Sequence, residues 1–251
     1  MGRTGKAKAR PTNSLMESRC LLKAADLLNR LLISKLEVQV ISTRARVLRK
    51  GFFDRLLYFQ GLFDLLEGVE GDVVECGVAG GESLAMLASL VRSSNMSRHI
   101  WGFDCWEGLP APSNKDLASA KSIAAQGIFS HLGVENVLTT LRWYGFDDSE
   151  IKNEVTLAKG LFSETLPKYS GPHIALLHID ADLYNSYLDC LRCLWPKVGV
   201  SGIVAFDEYQ ATDEWPGARQ AVDEFFSQLA PGSLKLTQDT LFNRYYGVKR
   251  A

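Results

Sequence analysis

Apolar residues recur at helical spacing twice near the start of the chain. The first stripe is Leu15, Leu21, Leu22, Leu27, Leu28, Leu31, Leu32 and Leu36; the second is Phe52, Phe53, Leu56, Leu57, Phe59, Leu62, Phe63 and Leu66. Each predicts an amphipathic helix that needs an apolar partner. After Gly68 the texture changes. Short apolar runs predict strands over 72–76, 99–104, 155–158, 174–180 and 202–207, separated by helical patterns at about 82–92, near Glu164, at 184–194 and at 216–229. Repeated βα units call for a parallel sheet covered by helices on both faces. The runs 174–177 and 203–206 are nearly all apolar, as strands buried on both sides require. Two closing strands, 234–236 and 244–248, have no helix between them and predict an antiparallel hairpin joined by 237–243. The fold class read from this order is α/β: a Rossmann-like, mostly parallel seven-stranded sheet with a C-terminal antiparallel hairpin, preceded by N-terminal helices.

The segment between strands two and three, about 111–150, is too long for a simple crossover. It reads as a helical insert and is a candidate substrate lid or dimer surface. With 251 residues and 46% hydrophobic content, the chain supports one α/β domain at 69–251 with an extra element. That element is a helical cap or dimerisation region at 15–68, behind a basic, unstructured tail at 1–14.

Charge sharpens the division. Residues 1–50 carry twelve Lys and Arg against three Asp and Glu, whereas the remainder carries sixteen against twenty-six. A basic arm of this kind suits nucleic acid, or a solvated helix that docks on an acidic body or a partner subunit. The leucine stripe favours docking, so a homodimer through the N-terminal helices is expected and nucleic acid is not. No apolar run reaches the ~18 residues of a membrane span, and no apolar stretch follows the basic start. A cytoplasmic protein is expected. The five cysteines, Cys20, Cys76, Cys105, Cys190 and Cys193, are scattered, and Cys190 with Cys193 has no second pair to complete a zinc site. They read as reduced thiols.

Ligands of open α/β sheets bind at the carboxyl ends of the strands. Those positions are polar here: Glu75 and Gly77, then Asp104, then Lys159 and Gly160, then Asp180 and Asp182, then Asp207 and Glu208. The loop Gly77-Val78-Ala79-Gly80-Gly81 lets the backbone approach a ligand and aims a helix N-terminus at it. It departs from G-x-G-x-x-G, which counts against a dinucleotide oxidoreductase, and it lacks the P-loop Gly-Lys-Ser/Thr. Asp104 is placed to accept both hydroxyls of a ribose or to close a turn. Trp106 is placed to stack on an adenine or to join the core. His178, inside an apolar run, reads as a core histidine; His131 lies in the insert, where a base or a substrate contact is open. Asp180, Asp182, Asp207 and Glu208 bring four carboxylates to neighbouring strand ends. They repel unless a cation sits among them or some of them cap the following helices. Oxygen ligands favour Mg²⁺ over zinc, and a metal-bound hydroxyl beside a carboxylate base is set up for transfer to oxygen.

Five ordered segments complete the picture: Val73-Val74-Glu75-Cys76-Gly77-Val78, Phe103-Asp104-Cys105-Trp106-Glu107-Gly108-Leu109-Pro110, Lys159-Gly160-Leu161-Phe162-Ser163-Glu164-Thr165-Leu166-Pro167, Leu177-His178-Ile179-Asp180-Ala181-Asp182-Leu183-Tyr184 and Trp215-Pro216-Gly217-Ala218-Arg219. Over about 50–250 the chain resembles the macrocin O-methyltransferase family, whose members methylate sugar hydroxyls on antibiotics. The resemblance implies a class I S-adenosylmethionine fold and a small-molecule hydroxylated acceptor. Cofactor contacts are expected at Glu75, Gly77, Val78, Gly80, Gly81, Ser83, Asp104, Trp106, Gly160, Phe162 and Asp180. It further implies Mg²⁺ on Asp180 and Asp207 with Glu208 as third ligand, and Asp182 as general base. Two positions depart from the family pattern: Glu208 stands where Asp is usual, and Ala181 where Gly is usual. A cofactor-binding protein with a degenerate site is the runner-up reading.

Overall fold

The structure, a computed structural model, describes residues 50–94 and 96–250. The leucine stripe at 15–36, the basic tail and the pairing of copies expected through them lie outside the described residues.

The second apolar stripe forms helix α1 (Lys50–Leu65), which buries Tyr58, Phe59 and Leu62. It leads through a turn into strand β1 (Asp72–Cys76). Helix α2 (Glu82–Ser93) and strand β2 (Ile100–Asp104) follow. After the insert comes β3 (Val155–Lys159), then the short α5 (Phe162–Thr165) and β4 (Ile174–Ile179), with α3 (Val134–Trp143) and α4 (Asp148–Glu154) inside the insert. Helix α6 (Tyr184–Leu194), β5 (Val198–Phe206), α7 (Pro216–Ser227), β6 (Leu234–Asp239) and β7 (Arg244–Lys249) complete the order.

The seven strands run β3-β2-β1-β4-β5-β7-β6. Strands β1 to β5 pair in parallel, and β7 pairs antiparallel with both β5 and β6. The expected fold class therefore holds. The strand order reverses beside β1, which has β2 on one side and β4 on the other, and this switch point is where an open sheet leaves a crevice. One core joins α1, α2 and α3 to alternate sheet residues such as Val73 and Ala205; the other joins α6 and α7 to Val74, Leu177 and Val204. Each fully buried Leu or Phe contributes roughly 1.5–3 kcal/mol.

Alternation fixes which polar residues share a face. Glu75 lies level with His178 and His178 level with Ala205, so Glu75 and His178 point toward the same side as Val73. That side carries α1, whose Phe59 ring stands edge-on to His178 at 5.0 Å. Arg98 fixes the α1 end by donating to the carbonyls of Leu66, Val69 and Gly71.

Three expectations change. Helix α1, assigned to an N-terminal cap, packs into the core of the sheet and belongs to the same compact unit, which begins at Lys50. The insert is helical only in its second half; residues 105–133 run as turns, because Pro110 and Pro112 disfavour helix and Gly108 and Gly127 take positive φ. The terminal hairpin is tighter than expected, since the Asp239 side chain accepts from Leu241 and Phe242 and closes a loop over 240–243. Among the described residues no helix is long and apolar enough to cross a membrane.

Candidate active site

The glycine loop is built by its neighbours. Gly77 has a φ of 89°, and a Cβ there would overlap the Asp180 carbonyl oxygen, so only glycine lets the ends of β1 and β4 approach this closely. Asp104, at the end of β2, accepts from Val78 and Ala79 backbone N–H at 2.9 and 2.8 Å through one oxygen and from Trp106 N–H at 2.7 Å through the other. It is a turn-closing acceptor first. A carboxylate has about four acceptor positions, so capacity for a ribose hydroxyl remains. The Trp106 indole donates to Ala79 at 2.9 Å, and the side chain is buried against the loop it holds. Gly81 also has positive φ, and a Cβ there would meet Val137 of α3 at 2.9 Å. Thr140 of α3 donates to Gly80 at 2.8 Å. Gly160 donates its N–H to the Asp104 carbonyl at 3.0 Å, which brings the α5 start and its half-buried Phe162 to the same edge. Ser83 is buried in the first turn of α2.

The acidic cluster sits next to this loop. Asp180 directly follows β4, and the turn after it is tight: Leu183 N–H reaches Ala181 at 2.6 Å and Asp182 takes a φ of 58°. Aspartate tolerates that conformation better than most side chains. Asp207 and Glu208 directly follow β5. The charge of Asp207 is met by three cations. Arg55 of α1 reaches it at 2.9 Å and reaches Asp180 at 3.2 Å; Arg244 of β7 pairs with its other oxygen; His178 Nε2 lies 3.6 Å away. Burial opposes the Asp207 charge, but Arg55, His178 and Arg244 hold its carboxyl far below the usual range. Glu75, with no exposed surface, binds His178 Nδ1 at 2.9 Å. Burial works against a charged His178, and Asp207 and Glu75 outweigh it, lifting the imidazole to about 9. Glu75 therefore serves His178 from within the sheet.

Among the described residues, Asp182 and Glu208 have no such partners. Burial first, then Asp180, Asp207 and Asp104, push Asp182 up to about 8. Burial and the charges of Asp180, Asp207 and Asp182 push Glu208 well above the ordinary carboxylate range. Asp180, Asp182 and Glu208 offer oxygens that all lie within 4.8 Å of one another; His178, Asp180 and Asp207 form a second such set. Asp180 is common to both. The expected trio of Asp180, Asp207 and Glu208 does not form a single set; Asp207 is instead engaged by Arg55 and Arg244.

The irregular half of the insert is fastened across this region. Buried Asp116 accepts from Ser113 N–H and hydroxyl and from the Tyr184 N–H at the start of α6, at 2.6–2.7 Å. Lys115 pairs with Glu224 of α7, and Ile123 N–H with the Glu214 carbonyl. Lys121 pairs with Asp213.

The macrocin-O-methyltransferase (TylF) family pattern matches residues 59–230, from inside α1 to beyond α7. The chain belongs to the macrocin O-methyltransferase family. It is 32% identical over 160 residues to demethyldecarbamoylnovobiocin O-methyltransferase of Streptomyces niveus, covering 62% of this chain and 58% of that protein. It is 32% identical over 151 residues to 8-demethyl-8-(2,3-dimethoxy-α-L-rhamnosyl)-tetracenomycin-C 4'-O-methyltransferase of Streptomyces olivaceus, covering 58% and 55%. The chain thus spans a little over half the length of these relatives. Its fold is that of CalS11, a calicheamicin methyltransferase, with a TM-score of 0.68, 22% identity and coverage of 98% and 99%.

Within this family frame, the structure brings together Gly77, Val78, Asp104 and Trp106 around the loop, and Asp180, Asp182 and Glu208 around one point beside it. Arg55, Arg244 and Tyr187 were not singled out from the sequence, and His178 was read as core. Arg55 lies 125 residues from Asp180, and Arg244 lies 37 residues beyond Asp207. The register that sets Glu75 level with His178 is what shows that this histidine faces a carboxylate.

Proposed function

We propose that this chain transfers the methyl group of S-adenosylmethionine to a hydroxyl of a glycosylated small molecule, assisted by a divalent cation. The observation that carries this reading is the contact between Gly77 and Asp180. It sets the loop suited to a methyl donor directly against the carboxylates suited to an acceptor hydroxyl. A donor on Gly77, Val78, Gly80 and Gly81 and an acceptor at Asp182 then meet within one crevice. Family membership supports the chemistry, and the relative named for a rhamnosyl 4'-O position supports a sugar hydroxyl as the acceptor.

The residues fit a hard divalent ion. Three carboxylates converge, and among the described residues no cation sets the charge of Asp182 or Glu208. Asp180 and Glu208 would hold the ion, and Asp207 joins them only where Arg55 gives way. Such an ion supplies Lewis acidity toward the acceptor oxygen and draws Asp182 back toward its ionised form. Transfer of the methyl group to oxygen releases one proton, and Asp182 takes it. Its tight turn holds the carboxylate at the strand end, and burial keeps water from levelling its basicity.

The test is formation of S-adenosylhomocysteine by the purified chain with a panel of glycosylated acceptors. Turnover should stop with EDTA and return with Mg²⁺. Asp182→Asn should lower kcat by roughly 10²–10⁴ while S-adenosylhomocysteine still binds. Turnover indifferent to EDTA would remove the cation from this reading, and failure to bind S-adenosylhomocysteine would remove the reading itself.

A further inference from the structure

The Glu208 carboxylate, one methylene longer than the aspartate usual in the family, does not extend freely toward the site. Tyr187, in the first turn of α6 and with no exposed surface, donates its hydroxyl to Glu208 Oε2 at 2.6 Å. The same oxygen atom of Tyr187 accepts the Glu208 backbone N–H at 3.3 Å and lies 3.0 Å from the Ile179 carbonyl. The phenol thus touches both ends of Glu208, and it does so directly beneath the turn that carries Asp180 and Asp182. Glu208 Oε2 also accepts from the Asp182 N–H at 3.4 Å, and Asp180 offers an oxygen within 4.8 Å of the carboxylate. Tyr187 thus fastens a carboxylate that offers an oxygen within 4.8 Å of oxygens of Asp180 and Asp182.

The geometry points to Tyr187 as a positioning residue that adapts a glutamate to a cation site built for a shorter arm. Glutamate has one more rotatable bond than aspartate, so holding it in one place costs more conformational entropy. A buried hydroxyl bonded to one carboxylate oxygen removes that freedom in advance and holds the carboxylate at the site. Partners of metal ligands act in this way, orienting a ligand they do not replace. Tyr187 touches neither substrate nor ion; it works through Glu208. A tyrosine buried only for packing needs its hydroxyl satisfied as well, and the Ile179 carbonyl alone would do that. The shorter contact to Glu208 and the contact to its backbone N–H are what packing leaves unexplained.

This inference rests on the divalent-cation reading above, and the experiment separates the two. Mn²⁺ binding to the full chain is measured by electron paramagnetic resonance, alongside S-adenosylhomocysteine affinity by calorimetry. Tyr187→Phe, which removes one oxygen and keeps the ring, should weaken Mn²⁺ by roughly 10- to 100-fold and leave S-adenosylhomocysteine affinity unchanged. Tyr187→Met, flexible and without a hydroxyl, serves if the phenylalanine variant does not fold. In a Glu208→Asp background, where no long arm needs fastening, the same tyrosine substitution should leave Mn²⁺ affinity nearly unaltered. Unchanged Mn²⁺ affinity in Tyr187→Phe, or an equal loss in both backgrounds, overturns the positioning role. Wild-type chain that takes up S-adenosylhomocysteine but no Mn²⁺ overturns the cation reading on which it stands.

Discussion

Three cations converge on Asp207, and none of them follows from the residues around it in the chain. Carboxylates crowded at strand ends require positive charge, and the sequence offered a divalent ion as the answer. The structure supplies Arg55, Arg244 and His178 for Asp207, and among the described residues it brings no cation to Asp182 or Glu208. Arg55 stands where it bridges Asp180 and Asp207 from a helix that precedes the sheet. Its side chain is 25% exposed, so its removal costs less than breaking a fully buried pair. Arg55→Ala should destabilise the metal-free chain by about 1–3 kcal/mol. Millimolar Mg²⁺ should restore more stability to the variant than it adds to wild type, because the ion then meets two carboxylates with no guanidinium to displace. Thermal unfolding with and without Mg²⁺ reads both effects, and an equal Mg²⁺ shift in the two proteins would show that Arg55 and the ion do not share these ligands.

At the scale of elements, the turn-rich half of the insert is held by specific bonds more than by buried apolar surface. Asp116 is its anchor, joining the insert to the first turn of α6 immediately after the Asp180-Ala181-Asp182 turn. Gly217 at the start of α7 closes against the same carboxylate, since a Cβ there would overlap it. Asp116→Ala should cost about 1–3 kcal/mol by leaving the Tyr184 and Ser113 N–H groups without their acceptor, and should speed proteolysis within 105–133. Limited proteolysis followed by mass spectrometry checks this; cleavage at the wild-type rate would mean that Lys115 and Lys121 suffice to hold the segment. The sequence marked this stretch as too long for a crossover, but read it as mostly helical, whereas its first half runs as turns. Two prolines and the anchoring aspartate were visible; the partner across the fold was not.

The whole molecule turns on the switch in strand order beside β1. Because β4 returns next to β1, the loop after one and the aspartates after the other are neighbours, and Glu75 and His178 lie side by side within the sheet. This pairing ties stability to pH. The folded His178 titrates at about 9, above its ordinary 6.5, so folding favours its protonated form. Its contribution is complete below about pH 6.5 and is lost as pH rises through about 9, on the order of 3 kcal/mol in all. Urea unfolding of the chain in EDTA should show the advantage of wild type over His178→Gln shrinking steadily between pH 6 and pH 10. A gap that stays constant would assign His178 no charge in the folded state.

Hydropathy period, strand-end polarity and the five ordered segments determined the α/β class, the closing hairpin and the positions of Gly77, Asp104, Asp180, Asp182, Asp207 and Glu208. These follow from short-range physics: backbone sterics set the periods, burial of one face selects the elements, and only glycine satisfies the backbone at Gly77. Tertiary structure alone decided which charges meet. The placement of Arg55 on Asp207, Tyr187 on Glu208 and Asp116 on Tyr184 depends on strand order, on the angle at which α1 lies over the sheet and on where the insert crosses it. Electrostatic partners are chosen by distance in space, and local sequence carries no measure of that distance until the sheet has closed.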